Sequence, residues 1–572
     1  MNKKLIALVL AMVLVFSVFA GCGKKDDDKN KDNNVNADTD ADTNNDSSTS
    51  TIDEDQYINT FMSAWPNTLD PSTGSDMYGY GVILNIIEPL IRLAEKENGE
   101  TYYFAAGAES WEASDDLLTY TFHLRDNVWN DGEPVTSEHY AYGIRRSADP
   151  ATACEYANLL YLVKNGQKVN SGELPLEELG VETPDDKTLV IHLENPCPYF
   201  MDTVLQRVYF PQREDLVEKY GDQYATDVEN TPMCGPFLIE DWTINNEINY
   251  VKNENYWNAS EVKLERVHVA VLKDANTINN ALMTGELDYA GVGDPKWQAK
   301  FTEEGNYNRV QRTDPWTGYF MMNFNEGSKV ANTKITRAIA AVLDRQEVID
   351  NAWDGTPIPA WSLVPPAVTC AGKIFNTEDT GAAKKLRDEI KDPKALFEEG
   401  VKELGGDPAD YTIVLRGSDA SEKGRIAVEA FQQQIESALG CTVKASNDEW
   451  NAFVDAVKSA DYDIAWLAWG ADFNDPSNFL ETCYSPTAVY PTNWKNEKFD
   501  ELIELAQKEA NQDKRIEYLK EAEEILLYQE AAIVPINHLV TNIFRRTYVK
   551  GAPNNYFNTM GFMTMYTEGR DE

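Results

Sequence analysis

The residues best suited to bind a charged group close an almost apolar run at 466–472, WLAWGAD. A carboxylate at the end of such a run is costly unless a cation pairs with it, so Asp472 is a candidate site for a positively charged group. A partner that supplies the cation would gain a charge-assisted hydrogen bond. The alternative is structural, with Asp472 capping the turn that Asn474, Asp475 and Pro476 form.

Aromatic side chains near this run are candidates for pocket walls. Trp469 lies three residues before Asp472, and Trp450 lies 22 residues before it. For any single Trp or Tyr, a place in the hydrophobic core is the commoner outcome, so core packing stays the alternative for each of them.

Motifs for catalysis are missing from the sequence. It has no HExxH, no GxSxG and no paired metal-ligand spacing. We therefore predict no catalytic residue, no metal site and no cofactor, although a secreted peptidase or glycosidase remains the alternative class. The five histidines are His123, His139, His192, His268 and His538, and the first, third and fourth of these fall in alternating strand patterns.

The N-terminus is typical of a bacterial lipoprotein. Lys3 and Lys4 precede an apolar run at 5–19, and the run ends at FAGC, which places Cys22 after small residues. Cleavage there would remove residues 1–21 as a signal peptide and leave lipid on Cys22, which anchors the protein outside the cytoplasmic membrane. An uncleaved anchor helix is the alternative. No other segment is long and apolar enough to span a bilayer.

An acidic, polar tract follows Cys22. Residues 23–50 hold eight Asp, six Asn and four Lys, with Val35 as the one bulky apolar residue. Such a tract cannot bury enough apolar surface to offset its ordering entropy, so we read 22–52 as the lipidated cysteine and a disordered tether. The whole chain carries a formal net charge of −44. This charge disfavours nucleic acid and direct adhesion to anionic lipid, and it favours solubility.

The remaining cysteines show no CxxC or CxH spacing. We predict buried thiols, and a disulfide among them stays possible outside the cell. They are Cys154, Cys197, Cys234, Cys370, Cys441 and Cys483.

The long region after the tether must position these residues, and it is too large for one core. It shows no internal repeat. Strand-like segments at 118–124, 187–193 and 262–272 alternate with helical patterns at 277–285 and 335–351. The mixture predicts an α/β protein with two or three lobes. The first strand leads through a polar turn to a helix that Thr136 or Ser137 can cap and that ends at Pro150.

Several blocks along the chain share their order and spacing with one family. They are SWEASDDLLTYTFHLRDNVWNDGEPVTSEHYAYGIRRSADP at 110–150, NTLDP at 67–71, 85–93, CGPF at 234–237, NENYWN at 253–258, NTKITRAIAAVLDR at 332–345, and 461–476. In these blocks the chain resembles the extracytoplasmic solute-binding proteins of family 5, the oligopeptide- and dipeptide-binding lipoproteins of ABC importers. The resemblance covers about 69–534.

This resemblance implies a bilobal periplasmic-binding-protein-like fold of type II, large cluster. Lobe one would comprise 53–87, 213–316 and 541–572, with an extra subdomain at 88–212, and lobe two would comprise 317–540. A monomer would capture a short peptide between the closing lobes and deliver it to ABC permease subunits in the membrane.

The resemblance also implies roles for individual residues. Asp472 would pair with the α-ammonium of the ligand, and the backbone of 468–470 and of 73–77 would pair with the peptide backbone. The implied ligand-binding residues are Asp472, Trp469, Trp450, Tyr156, Trp316, Ala468, Gly470, Ser75 and Met77.

The chain departs from the family pattern at two positions. Gly470 stands where several relatives have Cys, and Trp466 stands where a peptide binder can carry Arg for the ligand's C-terminal carboxylate. Arg312, Arg345 or Arg416 are candidate replacements, although Arg345 reads as the end of a helix. The alternatives within the fold are a receptor for a non-peptide amine, a metal chelate or a sugar, and a peptide-pheromone sensor.

Overall fold

The computed structural model describes residues 52–353, 355–378 and 380–570. The predicted signal peptide, Cys22 and almost all of the tether lie outside these residues. No helix within the described ranges has the length and apolar character needed to cross a membrane.

Helices and strands alternate along the described chain. The helices are α1 (Met77–Ile86), α2 (Ser137–Ala148), α3 (Gly166–Asn170), α4 (Phe200–Val204), α5 (Glu214–Tyr220), α6 (Ala275–Thr284), α7 (Pro295–Glu304), α8 (Thr333–Val342), α9 (Arg345–Trp353), α10 (Ala382–Glu389), α11 (Pro393–Glu403), α12 (Glu422–Leu439), α13 (Trp450–Lys458), α14 (Ser477–Leu480), α15 (Glu497–Lys508) and α16 (Gln512–Glu524). The strands are β1 (Tyr57–Met62), β2 (Ile91–Glu95), β3 (Thr101–Ala105), β4 (Ala108–Ala113), β5 (Thr119–Leu124), β6 (Val181–Asp185), β7 (Thr188–His192), β8 (Phe237–Thr243), β9 (Glu247–Lys252), β10 (Arg266–Val271), β11 (Tyr289–Gly291), β12 (Tyr307–Met322), β13 (Ile358–Pro359), β14 (Thr369–Cys370), β15 (Lys373–Ile374), β16 (Thr412–Gly417), β17 (Thr442–Asn447), β18 (Ile464–Gly470), β19 (Ile533–Arg546), β20 (Val549–Lys550) and β21 (Tyr566–Thr567).

Two four-stranded sheets form in the first half of the chain. One has the order β1-β10-β9-β8, with β1 parallel to β10 and the other pairs antiparallel. The other has the order β4-β5-β7-β6 and is antiparallel throughout. In the second sheet β5 buries alternate residues, Tyr120, Phe122 and Leu124, as the period of two requires for a half-buried strand. The predicted strand-turn-helix is confirmed here, with Thr136 as the N-cap of α2.

A seven-stranded sheet builds the second half and links it to the first. Its order is β11-β19-β12-β18-β16-β17, and β13 pairs with β19. The long antiparallel strands β12 and β19 pair from Tyr307 with Arg546 to Met321 with Ile533, with irregularities in register between Thr313 and Thr317 and between Gly318 and Tyr319. These two strands cross between the lobes, and the fold is α/β and bilobal, as predicted.

Three of the four hydrophobic cores in the described residues follow the same division. One core draws on residues between Ile58 and Val269 and on the C-terminal segment from Val549. Two further cores draw on residues between Tyr319 and Ile536. Successive residues of β12 enter different cores: Phe320 packs in one of them and Tyr319 in the other. This alternation places the two cores on opposite faces of the seven-stranded sheet.

One local prediction is wrong. The pattern at 335–351 forms two helices, α8 and α9, because Leu343 is extended and the Asp344 carboxylate accepts the Glu347 N–H at 3.1 Å, which starts a new helix. Arg345 therefore begins a helix instead of ending one. Its guanidinium is buried, donates to the Pro535 carbonyl at 2.7 Å and lies over the Trp361 ring.

The predicted buried thiols are confirmed at every position except Cys483, which is partly exposed. No disulfide forms among the six cysteines that the structure describes. His123, His192 and His268 lie in β5, β7 and β10, as their alternating patterns indicate.

Candidate ligand-binding cleft

A cavity of about 4390 Å³ separates the two lobes. Pockets for drug-sized ligands are typically about 300–1,000 Å³. Because this cavity is several times larger, we describe it as an open cleft. The nine predicted ligand-binding residues all contribute to its lining: Asp472, Trp469, Trp450, Tyr156, Trp316, Ala468, Gly470, Ser75 and Met77. The structure brings these dispersed residues to one surface, and their contacts with a ligand stay a prediction.

The strand β18 presents a free edge to this cleft. On one side it pairs with β12 along its whole length, from Met322 with Ile464 to Trp316 with Gly470. On the other side its pairing with β16 ends at Trp466, whose carbonyl accepts the Ser418 N–H at 3.1 Å. Because backbone groups alternate in direction along a strand, those of Ala468 and Gly470 point to the uncovered side.

Asp472 lies just beyond this free edge. Its side chain is exposed to the cleft, but the surrounding walls desolvate it and raise its pKa, while a hydrogen bond with Asn478 opposes that rise. Asp472 forms no ion pair with any side chain in the described part of the chain. The alternative role as a turn cap falls to Asp475, whose carboxylate accepts the Ser477 N–H at 2.9 Å. The Asp472 carboxylate is thus available to a cation in the cleft.

Gly470 allows an aromatic ring to pack against the strand. A β-carbon there would approach within 2.5–2.6 Å of the Trp316 indole. A larger side chain would have to displace this ring. Position 470 is therefore the place where the Trp316 ring lies on the strand backbone.

The other predicted aromatic residues combine core packing with exposure to the cleft. Trp469 packs partly against the core of lobe two and donates its Nε1–H to Asn478 Oδ1 at 3.0 Å. Trp450 stacks on Phe453 at 5.8 Å, and its buried Nε1–H has no partner in the described residues. Across the cleft, the Tyr156 hydroxyl donates to the Ser75 carbonyl at 3.3 Å.

The opposite wall, at 73–77, is a turn and not a strand. Gly74 N–H donates to the Asp70 carbonyl at 2.9 Å, and Asp76 caps α1 by accepting the Gly79 N–H at 2.7 Å. Met77 already belongs to α1, and its side chain is 60% exposed in the cleft. Strand-like pairing of a ligand with this segment is therefore confined to the residues before the helix.

The three arginines considered for a ligand's C-terminal carboxylate lie in different places. Arg312 lines the cavity, but its Nε donates to Asp314 Oδ1 at 3.0 Å. Arg416 pairs with Asp448 and Asp461, and neither it nor the buried Arg345 lines the cavity. Arg312 is thus the one of the three that faces the cleft.

Three lining or supporting residues escaped the sequence analysis. Gln206 donates its Nε2–H to the Asp472 carbonyl at 3.0 Å, and Arg207 is a buried charge in the cavity wall. Asn478 holds Asp472 and Trp469 together. The one local signal for any of these three residues was the charge of Arg207 within the mostly apolar segment LQRVYF at 205–210.

Metal chemistry has no support in this geometry. Among residues 52–353, 355–378 and 380–570, no cluster of three or more His, Cys, Asp or Glu side chains is arranged to hold a metal ion.

Comparison with known proteins identifies the architecture. Residues 105–491 match the model of the bacterial extracellular solute-binding proteins, family 5 middle. The oligopeptide-binding protein OppA of Bacillus subtilis is 31% identical over 493 residues, which cover 84% of this chain and 87% of that protein. The dipeptide-binding protein DppE of the same organism is 32% identical over 474 residues, which cover 82% and 84%.

Solved structures give the same result. The unliganded open form of the murein tripeptide-binding protein MppA matches with a TM-score of 0.80 at 23% identity, covering 92% of this chain and 99% of that one. Peptide-bound OppA of Listeria monocytogenes matches with a TM-score of 0.63 at 29% identity, covering 90% and 99%.

Proposed function

This chain belongs to the bacterial extracellular solute-binding proteins of family 5, and we propose that it is the binding lipoprotein of an ABC importer for short peptides. The observation that carries the proposal is the uncovered edge of β18 at Ala468 and Gly470, with the Asp472 carboxylate directly beyond it. Lipid on Cys22 would hold the protein at the outer face of the cell membrane as a monomer, next to its permease.

An extended peptide fits this edge for a physical reason. Its backbone N–H and C=O groups need partners once water leaves the cleft, and a strand edge supplies them without reading side chains. The Asp472 carboxylate then lies where the first residue of such a peptide presents its α-ammonium group. A binder built in this way accepts many sequences and requires a free N-terminus.

The relatives support the same ligand class. The names of the two Bacillus subtilis proteins give oligopeptides and dipeptides as their ligands, and the Listeria monocytogenes structure holds a peptide. Their similarity to this chain extends over most of its length, so it includes both walls of the cleft.

Lobe closure would follow from contacts with both walls. A peptide that touches β18 on one side and the region of Tyr156 and Ser75 on the other binds a closed state better than an open one. It therefore shifts the equilibrium toward closure by its differential affinity, and the permease can recognise the closed state.

Calorimetry with free and N-acetylated peptides tests the proposal. Purified protein, unfolded and refolded to remove any carried-over ligand, should bind a tetrapeptide with a free N-terminus about 10- to 100-fold more tightly than its N-acetylated form, as expected for a charge-assisted hydrogen bond. Asp472→Asn should remove this difference. Glu155→Gln is the matched control, because Glu155 is an exposed carboxylate on the same cavity lining that does not belong to β18.

Equal affinity for both peptide forms would contradict the role of Asp472. Failure to bind any peptide would favour a non-peptide amine as ligand. Native mass spectrometry of the protein as first purified would then give the mass of that ligand directly.

A further inference from the structure

Arg207 is a buried cation in the wall of the cleft. Its side chain lines the cavity although the residue is only 4% exposed. Its Nη2 donates to the Asp76 carbonyl at 2.5 Å, and its guanidinium carbon lies 5.4 Å from the centre of the Tyr80 ring. No carboxylate in the described ranges forms an ion pair with it.

The carboxylate of Asp76, whose backbone carbonyl Arg207 contacts, already accepts other hydrogen bonds. Asp76 accepts the Gly79 N–H at 2.7 Å with Oδ1 and the Asn67 N–H at 3.2 Å with Oδ2, so it serves as the cap of α1. Burial lowers the pKa of Arg207, and electrostatic interactions with Tyr156 and Asp76 only partly oppose this effect. A buried charge in this state is costly, and an anion would relieve that cost.

Some other buried arginines in the described residues have such an anion. Arg92 pairs with Glu88 at 2.7 Å, and Arg515 pairs with Asp475 at 2.6 Å. Arg345 and Arg545 form no ion pair either, but both lie outside the cavity lining and donate to backbone carbonyls. Arg207 thus combines three features: it is buried, it forms no ion pair in the described residues, and it lines the cleft.

Arg207 lies close to Asp472, the candidate site for the ammonium group of the ligand. The neighbouring Gln206 bonds the Asp472 carbonyl at 3.0 Å, and close by Tyr199 stacks on Phe473 at 5.1 Å. Burial raises the pKa of Tyr156 to about 12, with Arg207 opposing and Asp472 adding to the rise. The Asp472 carboxylate and the Arg207 guanidinium therefore both lie near Tyr156.

The guanidinium position is also sterically defined. A β-carbon at Gly74 would overlap Arg207 Nη1. Glycine at this point of the turn therefore leaves room for the guanidinium beside Ser75 and Met77, which line the cleft.

We propose that Arg207 is a specificity-determining residue that binds a carboxylate of the ligand close to the ammonium group that Asp472 holds. This inference rests on the proposed function and narrows it to short peptides that carry a carboxylate near their N-terminus. The carboxylate is either the side chain of an acidic residue among the first positions or the C-terminus of a very short peptide. In either case it supplies the anion that the buried guanidinium lacks and forms charge-assisted hydrogen bonds with it.

Paired peptides separate these two sources. The first set contains C-terminally amidated tetrapeptides with Glu or Gln at position one, two or three and Ala elsewhere. The second set is Ala-Ala with a free or an amidated C-terminus. Calorimetry should show that the carboxylate-bearing member binds at least about tenfold more tightly in one Glu/Gln pair or in the dipeptide pair, as expected for a hydrogen bond between charged groups.

Variants then test whether Arg207 causes the preference. Arg207→Gln should bring the ratio of affinities close to one, and Arg207→Lys should retain part of it because the charge remains. Lys423→Gln is the control, since Lys423 is an exposed cation on the same cavity lining. It removes the same formal charge from the cleft and should leave the ratio unchanged.

The outcomes are distinguishable. Equal affinities within every pair, or a ratio that persists in Arg207→Gln, would overturn the role of Arg207 while peptide binding stands. Binding of no peptide at all would overturn the proposed function and this inference together. If Arg207→Gln does not fold, two other variants replace it: Arg207→Lys, and Gly74→Ala, which displaces the guanidinium. An unchanged ratio of affinities in both variants would overturn the inference.

Discussion

Asp472 and Asp475 follow the same strand, but they lie in opposite environments. Asp475 is 1% exposed and receives two hydrogen bonds from the equally buried Arg515, at 2.6 and 2.8 Å. Asp472 is exposed to the cleft and has no cationic partner in the described residues. One carboxylate joins parts of lobe two, and the other is open to a ligand.

The arginines show the same division. The Asp475 charge keeps the pKa of Arg515 above its usual value even though burial acts to lower it, whereas burial lowers the pKa of Arg207. Asp475 and Arg515 thus satisfy each other within the protein. Asp472 and Arg207 form no ion pair in the described residues, so substitutions in the two regions should affect different measurements.

The largest expected effect is in the structural region. Arg515→Met leaves Asp475 buried without a partner, which should lower the free energy of unfolding by about 3–5 kcal/mol. Urea unfolding measures this loss. The double variant Arg515→Met with Asp475→Leu should recover a large part of it, because no isolated charge remains. A loss below about 1 kcal/mol, typical of exposed ion pairs, would contradict the comparison.

Gly470 tests the boundary between the two regions. Gly470→Val forces its side chain against the Trp316 indole, and such overpacking typically costs about 1–3 kcal/mol of unfolding free energy. The change should also weaken peptide binding, because both the strand edge and the ring shift. Ala468→Val is the control for unfolding: its side chain is exposed, and it should stay within about 0.5 kcal/mol of the original protein. Unchanged stability and binding in Gly470→Val would show that Trp316 moves freely.

Sequence reasoning predicted the parts of the site that are local or that follow the family pattern. The apolar run, Asp472 and the spaced tryptophans are visible in the printed chain, and the block order placed them on one cleft. Even so, the helix boundary at Asp344 was missed, since one exposed hydrogen bond from the Glu347 N–H to the Asp344 carboxylate starts a new helix within an otherwise continuous helical pattern.

Sequence reasoning missed the remaining residues for one physical reason: their partners are distant in the sequence. Gln206 and Asp472 are 266 residues apart, and Arg515 and Asp475 are 40 apart. Nothing in either local segment indicates its partner. Whether an arginine is paired or open depends on contacts that only the folded chain creates, so Arg207 could not be told from Arg515 by sequence.

The smallest expected effect is the pH dependence of Asp472. Desolvation raises its pKa in the folded protein above the usual 3.8. The folded state therefore holds this proton more strongly than the unfolded state, and the stability contribution of Asp472 falls as pH rises from about 3.8 through its folded pKa. Above that folded pKa the cost is fully present, so Asp472→Asn should there raise the free energy of unfolding of the ligand-free protein, by less than about 1 kcal/mol because cleft water screens the charge.

Peptide binding should depend on pH in the opposite direction. The ammonium group of a peptide pairs with ionised Asp472, so affinity should weaken as acidification protonates this carboxyl, and Asp472→Asn should remove that part of the pH dependence. Urea unfolding and calorimetry at a series of pH values between 4 and 7 measure both trends. If Asp472→Asn instead destabilised the ligand-free protein at pH 7, Asp472 would be a structural carboxylate like Asp475, and the division between the two regions would fail at its central residue.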